Sequence, residues 1–171
     1  MNFLKIKVTT KGALGMGKRQ WAQEILKPAM YQVGLHWRQA IMPRRFDARQ
    51  HVYGFRERTE AWKRAKRKDP ASADGGRFKL VYTGDARSRA SSGNITARAT
   101  SNKQSVKIAG PRKLNFRPKT KGSRLPIDMR EEFRAVTGRD VRALQTMLRK
   151  SIREGFVKVG KKVTFRATIT K

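Results

Sequence analysis

Cysteine is absent from this chain, which excludes disulfides, thiolate metal sites and thiol nucleophiles together and fits a reducing cytoplasm. Carboxylates are scarce: 12 Asp and Glu stand against 42 Lys and Arg, for a formal net charge of +30. Histidine is confined to His36 and His51, a poor metal set without thiols. Long apolar runs are missing, so no membrane-spanning segment is expected. The stretch from Met1 to Val8 alternates charged and apolar residues, the pattern of neither a signal peptide nor a membrane anchor. There is no internal repeat.

What is present suffices for a core. The 171 residues suit one domain, and 37% of them are hydrophobic, three being tryptophan, so a folded chain is expected despite the charge. The reading is a single α+β domain over residues 1–171, with a flexible loop at 69–76 and an extended basic arm at 110–125. Such a charge imbalance opposes compaction through self-repulsion and is best tolerated where negative charge lies close by. A solubilising surface needs far less, a net charge of about 2 to 8 for a small domain.

Along the chain, Phe3 to Thr10 alternates and reads as a strand, with Lys5 and Lys7 on one face and Leu4, Ile6 and Val8 on the other. Beyond the glycine-rich stretch Gly12 to Gly17, the residues Trp21, Ile25, Ala29, Val33, Trp37 and Ile41 recur every four positions, which predicts a long amphipathic helix. Pro28 and Gly34 should kink or divide it, and Pro43 should end it. Arg44 to Phe55 reads as extended. Thr59 is placed to cap a short basic helix through Lys68.

Leu80 and Tyr82 lead to a Thr83-Gly84-Asp85 turn, and Asn94 to Thr100 with Ser105 to Ala109 forms a hairpin about a polar tip. Pro126, followed by Asp128, Glu131 and Glu132, marks a helix start whose carboxylates suit the macrodipole. A further helix begins after Thr137, with Asp140 near its start and Val141, Leu144, Leu148 and Ile152 facing the core until Gly155 stops it. Phe156 to Thr170 alternates and supplies one or two closing strands across a Gly160-Lys-Lys162 turn. The fold class is thus α+β, a long N-terminal helix and a C-terminal helix packed on a mainly antiparallel sheet.

No catalytic constellation emerges. Gly12-Ala-Leu-Gly-Met-Gly17-Lys18 has the glycine and lysine spacing of a phosphate-binding loop, but Arg19 stands where the magnesium-binding hydroxyl belongs, so a glycine hinge is the better reading. His36 precedes Trp37 on a mostly apolar helix and reads as a packed or surface residue, not a base. Asp128, Glu131 and Glu132 are explained by a first helical turn beside Arg130 and Arg134. No enzyme, metal or cofactor is expected.

The functional signal is basic. One cluster is Lys63, Arg64, Lys66, Arg67 and Lys68; a second is the arm carrying Arg112, Lys113, Arg117, Lys119, Lys121 and Arg124; Lys103 and Lys107 lie in the tip and second strand of the hairpin. Each phosphate neutralised by such a side chain releases counterions, which gives salt-sensitive binding without base recognition. Asn115, Phe116 and Arg117 add a stacking spot, yet one aromatic makes no platform for single strands. No helix-turn-helix, zinc-finger or RNA-recognition signature is present, so sequence-specific readout is not expected.

The order Pro43-Arg-Arg-Phe46, Tyr53-Gly-Phe55, Arg58-Thr59, Trp62-Lys63 and Leu80-x-x-Thr83-Gly84 resembles that of tailed-phage neck proteins, the tail-completion or head-tail joining group that includes minor tail protein Z-like members. Ala86 and Arg89 occupy places where that group has a large apolar residue and a serine. The resemblance implies a virion protein of the neck or tail end, assembled in the host cytoplasm into a ring, commonly six-fold, that joins the connector to the tail tube or terminator proteins. Double-stranded DNA would pass through its centre, contacted without sequence preference. Phe46, Tyr53, Phe55 and Trp62 are then candidate subunit anchors, while Trp21 and Trp37 share the helical stripe and belong to the core. A ribosomal or other RNA-binding protein using the same clusters on phosphates is the alternative.

Overall fold

The computed structural model describes residues 5–11, 16–47, 53, 58–72, 85–100, 104–108, 135–160 and 164–170. In chain order these form β1 (Lys5–Lys11), the helical run α1 (residues 18–47), α2 (Glu60–Lys68), α3 (Asp85–Ser92), β2 (Ile95–Ala99), β3 (Gln104–Ile108), α4 (Gly138–Lys158) and β4 (Thr164–Thr170). The class is α+β, but the strands make two separate antiparallel pairs, β1 with β4 and β2 with β3, where the sequence reading has one sheet. The chain divides into two compact units. One holds Met1–Trp37, Asn94–Ile108 and Gly138–Lys171; the other holds Arg38–Gly93 and Ala109–Thr137.

In the first unit α1 buries Trp21, Ala22, Ile25, Leu26, Ala29, Met30, Val33 and Trp37, the stripe expected from the four-residue spacing. It packs against the β2–β3 hairpin and against α4, and α4 in turn packs on β4. Leu144, Leu148, Ile152 and Phe156 form the buried stripe of α4. Trp21 stacks on Phe156 with ring centroids 5.0 Å apart, and Phe165 of β4 approaches the same ring at 5.9 Å. In the terminal sheet Ile6 pairs with Ile169 and Val8 with Ala167, so these four share the inward face. An isoleucine or valine side chain there, once fully buried, contributes about 1.5–3 kcal/mol.

Proline and glycine do not divide α1. It runs as an α-turn (Lys18–Gln20), a π-helical stretch (Trp21–Leu26), an α-helix (Lys27–His36), a second π stretch (Trp37–Ile41) and a last α segment (Met42–Asp47). Pro28 and Pro43 each stand two residues past a π stretch. A proline cannot donate to the carbonyl four residues back, but an i→i−5 ladder lets the next residue serve that carbonyl. The wider ladder shows where the Lys27 N–H reaches the Ala22 carbonyl, five residues back. Pro43 therefore lies inside the helix instead of ending it, and Arg44 to Asp47 is helical, not extended.

Gly34 and Gly155 are sites of close approach, not helix breakers. A Cβ on Gly34 would stand 2.7 Å from Ile95 Cγ2 and 2.8 Å from Val106 Cγ1, and one on Gly155 would stand 3.0 Å from Ile25 Cγ2. α4 accordingly continues to Lys158 and ends at Gly160, whose φ of +67° suits glycine. Phe156 and Val157 are helical, leaving a single closing strand, because Phe156 extends the four-residue stripe of Ile152 by one more turn.

In the second unit the end of α1 buries Met42, Arg45 and Phe46. Arg87 of α3 pairs with Asp47 at 3.0 Å, and Arg38 donates to the Gly93 carbonyl at 2.7 Å. Arg45, 1% exposed, donates to the Ala135 carbonyl and lies over the Tyr53 ring at 5.0 Å. α3 lacks any apolar period and was not legible in the sequence. Thr59 caps α2 as expected, its hydroxyl accepting from the Trp62 N–H at 3.3 Å. Past α2, Asp69 accepts from the Ala71 and Ser72 N–H groups at 2.8 and 2.9 Å, a tight turn at the start of the expected loop. Residues 73–84, 109–134 and 161–163 lie outside the described residues, and with them the rest of that loop, the Thr83-Gly84 turn, the basic arm and the helix start at Pro126.

Candidate polyanion-binding surface

A helix turns about 100° per residue, so in a helix packed along one side six consecutive positions cannot all face solvent. α2 obeys this. Arg64, Arg67 and Lys68 are exposed, whereas Lys66, the residue one turn after Trp62, is only 1% exposed. Lys66 is therefore removed from the set of phosphate contacts. Its Nζ lies 5.1 Å from the centroid of the Trp62 ring, and the Arg58 guanidinium, itself buried, lies 5.9 Å from it. Trp62 is thus half-buried and serves as an acceptor for two cations. Lys63 is half-buried and its Nζ meets Glu60 at 2.7 Å. The concentration of Lys66, Arg67 and Lys68 in the last turn suits the negative end of the helix dipole.

The aromatic candidates divide. Phe46 is 1% exposed and leaves no face for a neighbouring subunit, so it is a core residue. Tyr53 is half-buried beneath Arg45. Phe55 lies outside the described residues, as do Lys103, Arg112, Lys113, Arg117, Lys119, Lys121 and Arg124. Lys107 is exposed on β3. Of the glycine-rich segment, Gly17 occupies the N-cap position of α1, where its carbonyl accepts from the Trp21 N–H at 3.0 Å, and Lys18 is exposed. His36 is half-buried, and His51 lies outside the described residues.

Two cationic surfaces in the first unit were missed. On α4, the side away from the Leu144-Leu148-Ile152-Phe156 stripe exposes Arg139, Arg142, Lys150 and Arg153, and Arg149 is exposed at the edge of the stripe. On the terminal sheet, the outward register positions pair Lys7 with Thr168 and Thr9 with Arg166, all but the half-buried Thr168 exposed and none acidic. The signal for both was in the sequence, but as spacing: these cations are interleaved with core residues and never form a run.

Among the described residues no group of three His, Cys, Asp or Glu side chains could hold a metal ion, and no helix is long and apolar enough to cross a membrane. No family model, curated protein or solved structure matches the chain. The arrangement offers many solvent-facing guanidinium and ammonium groups on helices and strands, which is chemistry that can bind phosphate or carboxylate.

Proposed function

We propose that this chain is a non-catalytic assembly protein that meets a polyanion with its folded surface, and that its setting is the neck or tail end of a tailed bacteriophage, as a ring around double-stranded DNA. One observation carries the proposal. If every Asp and Glu paired with one cation, the net charge of +30 would still leave thirty cations with no carboxylate in the chain. Exposed cations on α2, β3, α4 and the terminal sheet are consistent with that excess facing outward. A ring threaded by DNA supplies the counter-charge continuously, and closed symmetry places every subunit's cations in the same relation to it. The resemblance of the Pro43 to Gly84 segments to neck proteins supports the setting.

The test is light scattering coupled to size exclusion, with the ratio of nucleic-acid to protein absorbance read across the peak. A discrete ring, binding duplex DNA of any sequence with a steep salt dependence, is the expected result. A monomer that carries structured RNA, and holds it more tightly than duplex DNA of equal charge, would favour the RNA-binding reading and overturn this one.

A further inference from the structure

We infer that the exposed stripe of α4 is a docking surface for the phosphate backbone of double-stranded DNA. The inference rests on the polyanion-binding reading above and goes beyond it by naming the element and the side chains. At 100° per residue, Arg139, Arg142, Arg149, Lys150 and Arg153 fall within about 100° on one side of the helix, Arg139 and Lys150 opposite its buried stripe and Arg149 at the edge beside Phe156. All are exposed. Glu154 is the only carboxylate that α4 exposes, 3.9 Å from Lys150, since Asp140 is buried at 3% exposure. The stripe is therefore cationic over its whole length.

Its dimensions suit a stiff polyanion. Arg153 lies fourteen positions beyond Arg139, so the row runs about 21 Å at 1.5 Å per residue. Duplex DNA carries one negative charge per about 1.7 Å of axis, which places about a dozen phosphates alongside such a row. Phosphate is in excess, and every cation can be matched. Arginine supplies most of the row, and its planar fork engages phosphate through two parallel hydrogen bonds where lysine offers a point charge.

One member is already held. Arg149 Nε donates to the Ala167 carbonyl of β4 at 3.2 Å, and Gln145 Nε2 donates to the same oxygen at 3.2 Å. With its stem anchored on the strand, the Arg149 guanidinium has less freedom to lose on binding. An acidic protein partner is disfavoured because protein interfaces centre on apolar side chains. Val157 is the one large apolar residue that α4 exposes.

Arg139→Gln, Arg142→Gln and Arg153→Gln combined leave Arg149 and its strand contact intact. Binding of a short mixed-sequence duplex, followed by fluorescence anisotropy over a series of NaCl concentrations, should lose about 0.9 per contact from the slope of log K against log salt, about 2.7 in all. The triple Arg→Lys variant should keep that slope. A triple Gln variant whose slope equals that of the unsubstituted chain would overturn the stripe and leave the polyanion reading standing. Failure of the unsubstituted chain to bind the duplex at low salt would overturn both. Stripe-dependent binding of polyglutamate as tight as that of DNA would overturn the choice of occupant.

Discussion

Gly34 of α1 and Ile95 of β2 approach so closely that a Cβ on the glycine would stand 2.7 Å from Ile95 Cγ2. Val106 Cγ1 closes the other side at 2.8 Å. Both neighbours are β-branched and stiff at χ1, so neither can swing away freely. Gly34→Ala should gain about 1 kcal/mol of helix propensity and lose about 1–3 kcal/mol to overpacking, a net destabilisation measurable by chemical denaturation. In Gly34→Ala combined with Val106→Ala the loss should be smaller than the sum of the two single losses. Strict additivity would show that the glycine serves flexibility, not close approach.

Phe156 joins α1, α4 and β4, because its ring stacks on Trp21 at 5.0 Å and meets Phe165 at 5.9 Å. Phe156→Ala should lower stability by about 3–5 kcal/mol, the range for a large aromatic removed from a core. Phe156→Leu, which keeps most of the volume but not the ring contacts, should cost less. Equilibrium unfolding curves of the two variants check the order.

How much of this could be seen in the sequence depends on the range of the interaction that decides it. Thr59 capping α2, the Leu144-Leu148-Ile152 stripe and the β2–β3 hairpin were legible because each depends on neighbours a few residues away. Pro43 and Gly155 were misread as helix ends, and Gly34 as a point of interruption. Their local propensities are real, but π stretches and the tight packing on Ile95 and Ile25 override them, and those partners lie far off in sequence. The basic run on α2 was legible as composition, while the burial of Lys66 followed only from its phase relative to Trp62. The α4 stripe escaped notice because helical spacing disperses it among core residues.

Lys66 and its exposed neighbours should therefore separate experimentally. Lys66→Ala leaves a hole in a site only 1% exposed and removes a cation from the Trp62 ring, so thermal stability should fall by about 1–3 kcal/mol. Replacing Arg64, Arg67 and Lys68 with Gln should leave the stability within about 0.5 kcal/mol of the original for each change, as surface substitutions do, and reduce the salt slope of DNA binding. Melting curves and anisotropy titrations on the same preparations decide it. Equal effects of both variants on binding would mean that Lys66 reaches the ligand.

The charge also predicts how the isolated fold responds to salt. The thirty cations in excess of carboxylates repel one another in the compact state more than in the expanded chain, where they lie farther apart. Screening weakens that repulsion, since the Debye length shrinks from about 30 Å at 0.01 M to about 8 Å at 0.15 M ionic strength. The melting temperature should thus rise between these two conditions in NaCl, by about 2–4 °C for each kcal/mol of repulsion removed in a chain of this size. Duplex DNA added at the lower ionic strength should raise it further, because a ligand bound only by the folded state adds its binding energy to stability. A melting temperature that falls with NaCl would mean that attractive ion pairs outweigh repulsion among the excess cations.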